Sequence, residues 1–196
     1  MLGGMALRFF YLEKELDEAR PSVFSPIFVY TLKSQIMVYL GLSLVGDGNR
    51  NELNLVPSYI LFPDQFYGIG RDVDLDTDEE DYTSESFGVD LQYKRRVRGD
   101  WRLGLDGLVL KHRLDEVTAG GRLDGDTVLG TANTWLNALG PAVSLDSRDN
   151  TWAPDRGLWL QAGARFAGRG LGSDYDMEEY VLDLRGYRTL GRDLVL

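Results

Sequence analysis

Apolar and polar residues alternate with a period of two along most of this chain, in segments of about ten residues. In one such segment the apolar positions are Phe87, Val89, Leu91, Tyr93 and Val97, and the residues between them are Gly88, Asp90, Gln92, Lys94, Arg95 and Arg96. The segments 139–146 and 158–166 alternate in the same way. Because successive side chains of a strand point to opposite faces, each segment predicts a β-strand with one apolar and one polar face.

The length of these segments separates two kinds of all-β protein. Strands of a soluble antiparallel sandwich also alternate, but they are typically about 5 to 6 residues long. A tilted strand that crosses a bilayer needs about 9 to 11 residues, and several segments here reach that length. The predicted fold is therefore all-β, an antiparallel transmembrane outer-membrane β-barrel with about ten meandering strands in this chain.

Composition excludes several classes of function. With 31 acidic and 21 basic residues and a net charge of −10, the chain offers no basic stripe for nucleic acid. It has no cysteine and one histidine, so thiolate chemistry and histidine-based sites are ruled out or nearly so. An acidic run at 72–81 begins like a calcium loop, but it lacks the glycine and the spaced glutamate of an EF-hand and is interpreted as a solvated loop. We predict no catalytic, cofactor-binding or metal-binding residues.

The alternation predicts ten strands, at 3–11, 25–32, 36–45, 51–61, 82–97, 101–113, 137–146, 157–166, 178–188 and from 193 onward. Their connections fall on alternate sides of a meander. One side receives 33–35, 62–81, 114–136 and 167–177, and the other receives 12–24, 46–50, 98–100, 147–156 and 189–192. Outer-membrane barrels have short periplasmic turns and long outer loops, so we expect the first set outside.

The polar positions of these strands are expected to line a hydrated lumen of mixed charge, because charged side chains avoid lipid. The residues predicted to face this lumen are Asp90, Lys94, Arg96, Arg102, Asp106, Arg165, Asp183 and Arg185. On the apolar positions, Tyr11, Phe87, Trp101, Phe166 and Tyr180 lie near strand ends. They are expected to form an interfacial girdle, and ordinary sheet packing is the alternative.

One strand changes phase. Apolar residues occupy odd positions before Gly107 and even positions after it, which predicts a β-bulge at Gly107. The new phase would place His112, the only histidine, on the apolar face near the outer end of the strand.

The most specific motif lies at 145–157, which reads LDSRDNTWAPDRG. Together with the segments 30–35, 66–70, 171–174 and 180–187, it resembles the BamA/TamA family of outer-membrane barrel proteins, also called the bacterial surface antigen family. The family motif is matched at Asp146, Arg148, Asp149, Asn150, Pro154 and Gly157. For these residues we favour a structural role, in which Gly157 and Pro154 shape a turn and Asp146, Arg148 and Asp149 pair at the barrel floor.

The resemblance implies part of a barrel of about sixteen strands in the bacterial outer membrane, whose relatives insert or translocate other proteins. Implied partners are the bilayer, lipopolysaccharide and client outer-membrane proteins, with no cofactor and no enzymatic activity. Both chain ends lie within alternating segments, so residues 1–196 are expected to be a single β-barrel domain that continues beyond both ends. A passive pore or structural barrel, or the membrane anchor of an enzyme, would use the same scaffold. The oligomeric state stays open.

Overall fold

The computed structural model describes residues 2–12, 20–68, 79–125, 133–151, 153–190 and 194–195. In these residues the strands are β1 (Leu2–Met5), β2 (Arg8–Phe10), β3 (Ser22–Tyr30), β4 (Ile36–Gly46), β5 (Asn51–Phe66), β6 (Glu80–Arg98), β7 (Trp101–Asp115), β8 (Thr134–Asp146), β9 (Arg156–Ala167), β10 (Met177–Leu190) and β11 (Leu194–Val195). A single 3₁₀ turn at Arg169–Leu171 lies between β9 and β10. Within the same ranges, no helix has the length and apolar character needed to cross a membrane.

All eleven strands belong to one antiparallel sheet with the order β1-β3-β4-β5-β6-β7-β8-β9-β10-β11, and β2 also pairs with β3. The prediction of an all-β antiparallel meander is confirmed. From β2 onward each connection joins neighbouring strands, so successive connections lie at opposite ends of the sheet. In the described part of the chain, β1 and β11 form the two edges and do not pair with each other.

The strands differ most from the prediction at two places. The predicted strand 3–11 is divided into β1 and β2, although both keep one register with β3. The hairpin of β5 and β6 continues beyond residue 61 to the pair Phe66 and Glu80. Pro63 lies within this extension, and because the register of β4 with β5 ends at Leu61, its missing N–H interrupts no ladder between those two strands.

Three strand prolines coincide with gaps in the ladders. The gap between β1 and β2 lies opposite Pro26 on β3. The carbonyl oxygen of Pro26 accepts a hydrogen bond from the Ala6 N–H at 3.2 Å, but Pro26 has no N–H to donate in return. The register of β4 with β5 omits Pro57, and that of β8 with β9 omits Pro141. Because proline removes one ladder donor, each gap has a local chemical cause, and the register resumes unchanged beyond it.

The register separates two faces along most of the sheet. The face that carries Phe87, Leu91 and Leu139 is called the apolar face, and the face that carries Lys94 and Arg102 is called the polar face. On β7 the neighbours Leu103 and Arg102 are 52% and 3% exposed. At this point of the sheet the polar face is therefore more crowded than the apolar face.

The bulge predicted at Gly107 is wrong. The registers of β7 with β6 and with β8 run through Gly107 without a break, and the irregularity in this hairpin lies between Arg96 and Arg98 instead. The change of phase arises because Leu108 and Leu110 are apolar residues on the polar face. His112 lies on that face too, where its Nδ1 is 2.9 Å from the hydroxyl oxygen of Ser86, so the prediction that placed it on the apolar face is also wrong.

Gly140 precedes Pro141 at the gap between β8 and β9, and a Cβ there would overlap the carbonyl oxygen of Ala164. We expect Gly140→Val to lower the free energy of unfolding by about 1–3 kcal/mol, since the backbone of β9 cannot yield as a flexible side chain would. Gly4→Val is the matched control, because a Cβ on Gly4 meets nothing within 4 Å, and we expect a change within about 0.5 kcal/mol. Urea titrations in lipid vesicles measure both, and equal losses would contradict the steric account.

Candidate functional site

The apolar face has a defined height. On β6 the apolar residues from Phe87 to Tyr93 lie between Glu85 and Arg95, with Val97 beyond them at the irregularity beside the turn, and on β7 the apolar residues that begin at Trp101 are followed by Lys111. A separation of ten residues in each strand corresponds to about 34 Å along the strand, or roughly 25 Å after a tilt of about 40°. This is the height of the apolar band of an outer-membrane barrel.

The aromatic residues predicted for the girdle lie at exposed positions. Phe87, Trp101, Phe166 and Tyr180 are on the apolar face and 41–68% exposed, and Phe166 and Tyr180 meet edge to face with ring centroids 6.0 Å apart. Tyr11 is exposed as well but lies just after β2. An interfacial girdle stays a prediction.

An ion-pair network joins four strands across the polar face. The guanidinium of Arg165 on β9 lies 2.8 Å from Asp90 on β6 and 2.6 Å from Asp106 on β7, and 3.5 Å from Glu179 on β10. Gln92 donates a hydrogen bond to the second carboxylate oxygen of Asp106 at 3.0 Å. One arginine thus pairs with carboxylates from three strands, β6, β7 and β10, and this arrangement constrains their relative positions.

A second group on the same face is rich in cations. Lys94, Arg96 and Arg102 lie near the end of the sheet that holds the β6–β7 turn, where Glu52 accepts a hydrogen bond from Arg20 at 2.6 Å. The Nε of Arg102 is 3.3 Å from the same Glu52 oxygen but makes no hydrogen bond. Lys94 and Arg102 are both buried within this group.

The remaining predicted residues, Asp183 and Arg185, pair with each other at 2.6 Å, and the Arg185 guanidinium lies 4.8 Å from the ring centroid of Trp159. All the residues predicted to face the lumen therefore lie on the polar face, in three separate groups. Glu52 and Glu179 were missed, although both occupy the polar phase of their strands. That this face lines a lumen remains a prediction.

The connection 147–155 between β8 and β9 is built on side-chain hydrogen bonds. Arg148 donates from Nε and Nη2 to the two carboxylate oxygens of Asp146, at 2.8 and 3.0 Å. Asp149 instead accepts backbone N–H groups from Asn150, Asp155 and Arg156 at 3.0, 3.0 and 3.2 Å. The expected three-way pairing is therefore wrong for Asp149, whose carboxylate organises the backbone of the turn.

Two further motif residues shape the same connection. Asn150 accepts a hydrogen bond from the Ala153 N–H at 3.2 Å, directly before Pro154. Gly157 has a φ of 117°, and a Cβ there would lie 2.5 Å from the Ser147 carbonyl oxygen. The motif thus specifies a tight turn whose charged groups are satisfied locally.

This turn lies inside a region shared with known proteins. The model of the Omp85 superfamily domain matches residues 30–196. The chain belongs to the Omp85 superfamily. No curated protein matches it. The resemblance to the BamA/TamA type is confirmed at the level of this superfamily, which is a family of bacterial outer-membrane proteins.

The described part of this Omp85 domain contains no candidate metal site. Within those residues, no group of three or more His, Cys, Asp or Glu side chains is arranged to hold a metal ion. Most of the acidic run interpreted as a solvated loop, residues 72–78, lies outside the described residues.

The left-handed conformation of Gly157 in the Omp85 domain leads to a prediction. We expect Gly157→Ala to lower the free energy of unfolding by about 1–3 kcal/mol, because a side chain there combines backbone strain with overlap against residues 147–148. Gly170→Ala is the control, since its Cβ would meet nothing within 4 Å. Chemical unfolding followed by tryptophan fluorescence compares the two, and an unchanged midpoint for Gly157→Ala would contradict the assignment.

The carboxyl of Asp149 makes the turn sensitive to pH. Desolvation opposes its ionisation, but the N–H groups of Arg156, Asp155 and Asn150 outweigh this and lower its pKa. A lowered folded-state pKa contributes stability that is present above the unfolded value of about 3.9 and is lost as the pH falls through the folded value. We expect Asp149→Asn to be less stable than the parent at pH 7, with a difference that shrinks below about pH 4. Unfolding midpoints across this range test it, and a difference independent of pH would refute it.

Proposed function

We propose that residues 1–196 form one domain of an outer-membrane β-barrel that assists the insertion or translocation of other outer-membrane proteins. The observation that carries this proposal is the apolar face, which is bounded by Glu85 and Arg95 on β6 and ends at Lys111 on β7. Its height fits the apolar band of such barrels. Membership of the Omp85 superfamily supports the assembly or translocation role.

In this proposal the polar face lines the inside of the barrel. The network of Arg165, Asp90 and Asp106 supports it, because charged groups within a membrane are found facing a protein interior or water. β5 and β7 lead into residues 67–79 and 116–133 at the same end of the sheet, and we place that end outside the cell because outer loops are the longer ones. Bilayer lipids, lipopolysaccharide and client proteins are the proposed partners.

Reconstitution of the chain into vesicles tests the proposed role. Addition of an unfolded outer-membrane protein should give faster formation of a protease-resistant, folded product than empty vesicles give. The polar face of the sheet also suits a passive pore, our second candidate. Ion conductance in planar bilayers without faster client folding would favour the pore over the assembly role.

The assignment of the two faces gives a sharper prediction. Leu91 on the apolar face is 38% exposed, and Gln92 on the polar face hydrogen-bonds to Asp106. We expect Leu91→Arg to cost about 2–4 kcal/mol in a refolding titration in lipid, since it places a charge against acyl chains, and Gln92→Arg to cost far less. Equal costs for the two variants would refute the assignment of the apolar face to lipid.

A further inference from the structure

The apolar face of β5 to β8 ends in a cluster of polar and charged side chains. Register aligns Tyr59, Phe87, Lys111 and Trp135 across the four strands, and Glu85 and Arg113 form the next aligned pair. We name Tyr59, Glu85, Lys111, Arg113 and Trp135 the boundary cluster. It lies at the end of the sheet that carries the connections 67–79 and 116–133.

The boundary cluster surrounds an open cleft. The cleft has a volume of about 230 Å³ and is lined by Tyr59, Glu85, Phe87, Lys111 and Arg113. Tyr59 donates a hydrogen bond to Glu85 at 2.8 Å. Phe87 is 51% exposed and is the phenylalanine of the lining. The site thus joins an apolar surface directly to polar and charged groups, as an amphiphilic ligand requires.

The two cations of the cleft differ in their partners. Arg113 pairs with Glu85 and lies 3.0 Å from Asp115. In the described part of the chain, Lys111 has no carboxylate within ion-pair distance, and its ammonium lies 5.3 Å from the ring centroid of Trp135. Cation–π contact leaves the ammonium free to donate hydrogen bonds away from the ring. Lys111 is therefore a cation at the edge of the apolar band that pairs with no carboxylate of the described residues, and its ammonium can bind an anionic ligand.

We propose that the boundary cluster binds a phosphate group of lipid A, the membrane anchor of lipopolysaccharide. Lys111 and Arg113 donate to phosphate oxygens, and Phe87 contacts the acyl chains below. This inference rests on the proposed function, because it requires the apolar face to be in lipid with the long connections outside. The outer position selects lipid A, since lipopolysaccharide occupies the outer leaflet of this membrane.

Native mass spectrometry of the full chain tests the site, with diphosphorylated lipid A, fully dephosphorylated lipid A and phosphatidylglycerol as separate probes. We expect the parent chain to retain diphosphorylated lipid A at least tenfold more tightly than either other lipid. Lys111→Gln should lose most of this preference, and Lys111→Arg should keep it, because arginine also donates to phosphate. Arg95→Gln is the matched control, since it removes a cation from the same face at the opposite end of β6.

The outcomes are distinct. Equal retention of phosphorylated and dephosphorylated lipid A, or an unchanged preference in Lys111→Gln, would overturn the site. Retention of phosphatidylglycerol equal to that of lipid A would overturn the choice of lipid A as the ligand. Flotation with vesicles separates this inference from the proposed function. A parent chain that floats but shows no preference for phosphate overturns the site alone, whereas a chain that does not associate with vesicles overturns both.

Discussion

The antiparallel backbone ladder is the interaction on which the rest of this structure depends. A strand inside a membrane has no water to satisfy its N–H and C=O groups, so neighbouring strands must do so. From β3 to β10 every strand pairs with the next. Because a shift of one residue exchanges the two faces, the same ladder that satisfies the backbone also separates Leu91 from Gln92 and Leu103 from Arg102.

Prolines show how much interruption this ladder accepts. Pro26, Pro57 and Pro141 each lie at a gap between one pair of strands, while the ladder on their other side continues. The register is the same before and after each gap. The loss is therefore confined to a few hydrogen bonds, and the distinction between the two faces survives.

Charged groups have different partners on the polar face, on the apolar face and in the turn. On the polar face Arg165 pairs with carboxylates of three strands. In the turn 147–155 the carboxylate of Asp149 accepts hydrogen bonds from backbone N–H groups. The apolar face carries charge where its band ends, at Glu85, Arg95 and Lys111. This distribution follows from the high cost of a charge in hydrocarbon and its low cost at an interface.

Sequence by itself determined the antiparallel meander, nearly all strand positions and most residues of each face, because an alternation with period two reports directly on side-chain direction. It also identified the 145–157 motif and, through it, the family. Tertiary structure decided the rest. Only the register of neighbouring strands showed that Leu108, Leu110 and His112 lie on the polar face, and that β5 and β6 continue to Phe66 and Glu80. Ion-pair partners such as Asp90 and Arg165 are far apart in sequence, so no local pattern could assign them.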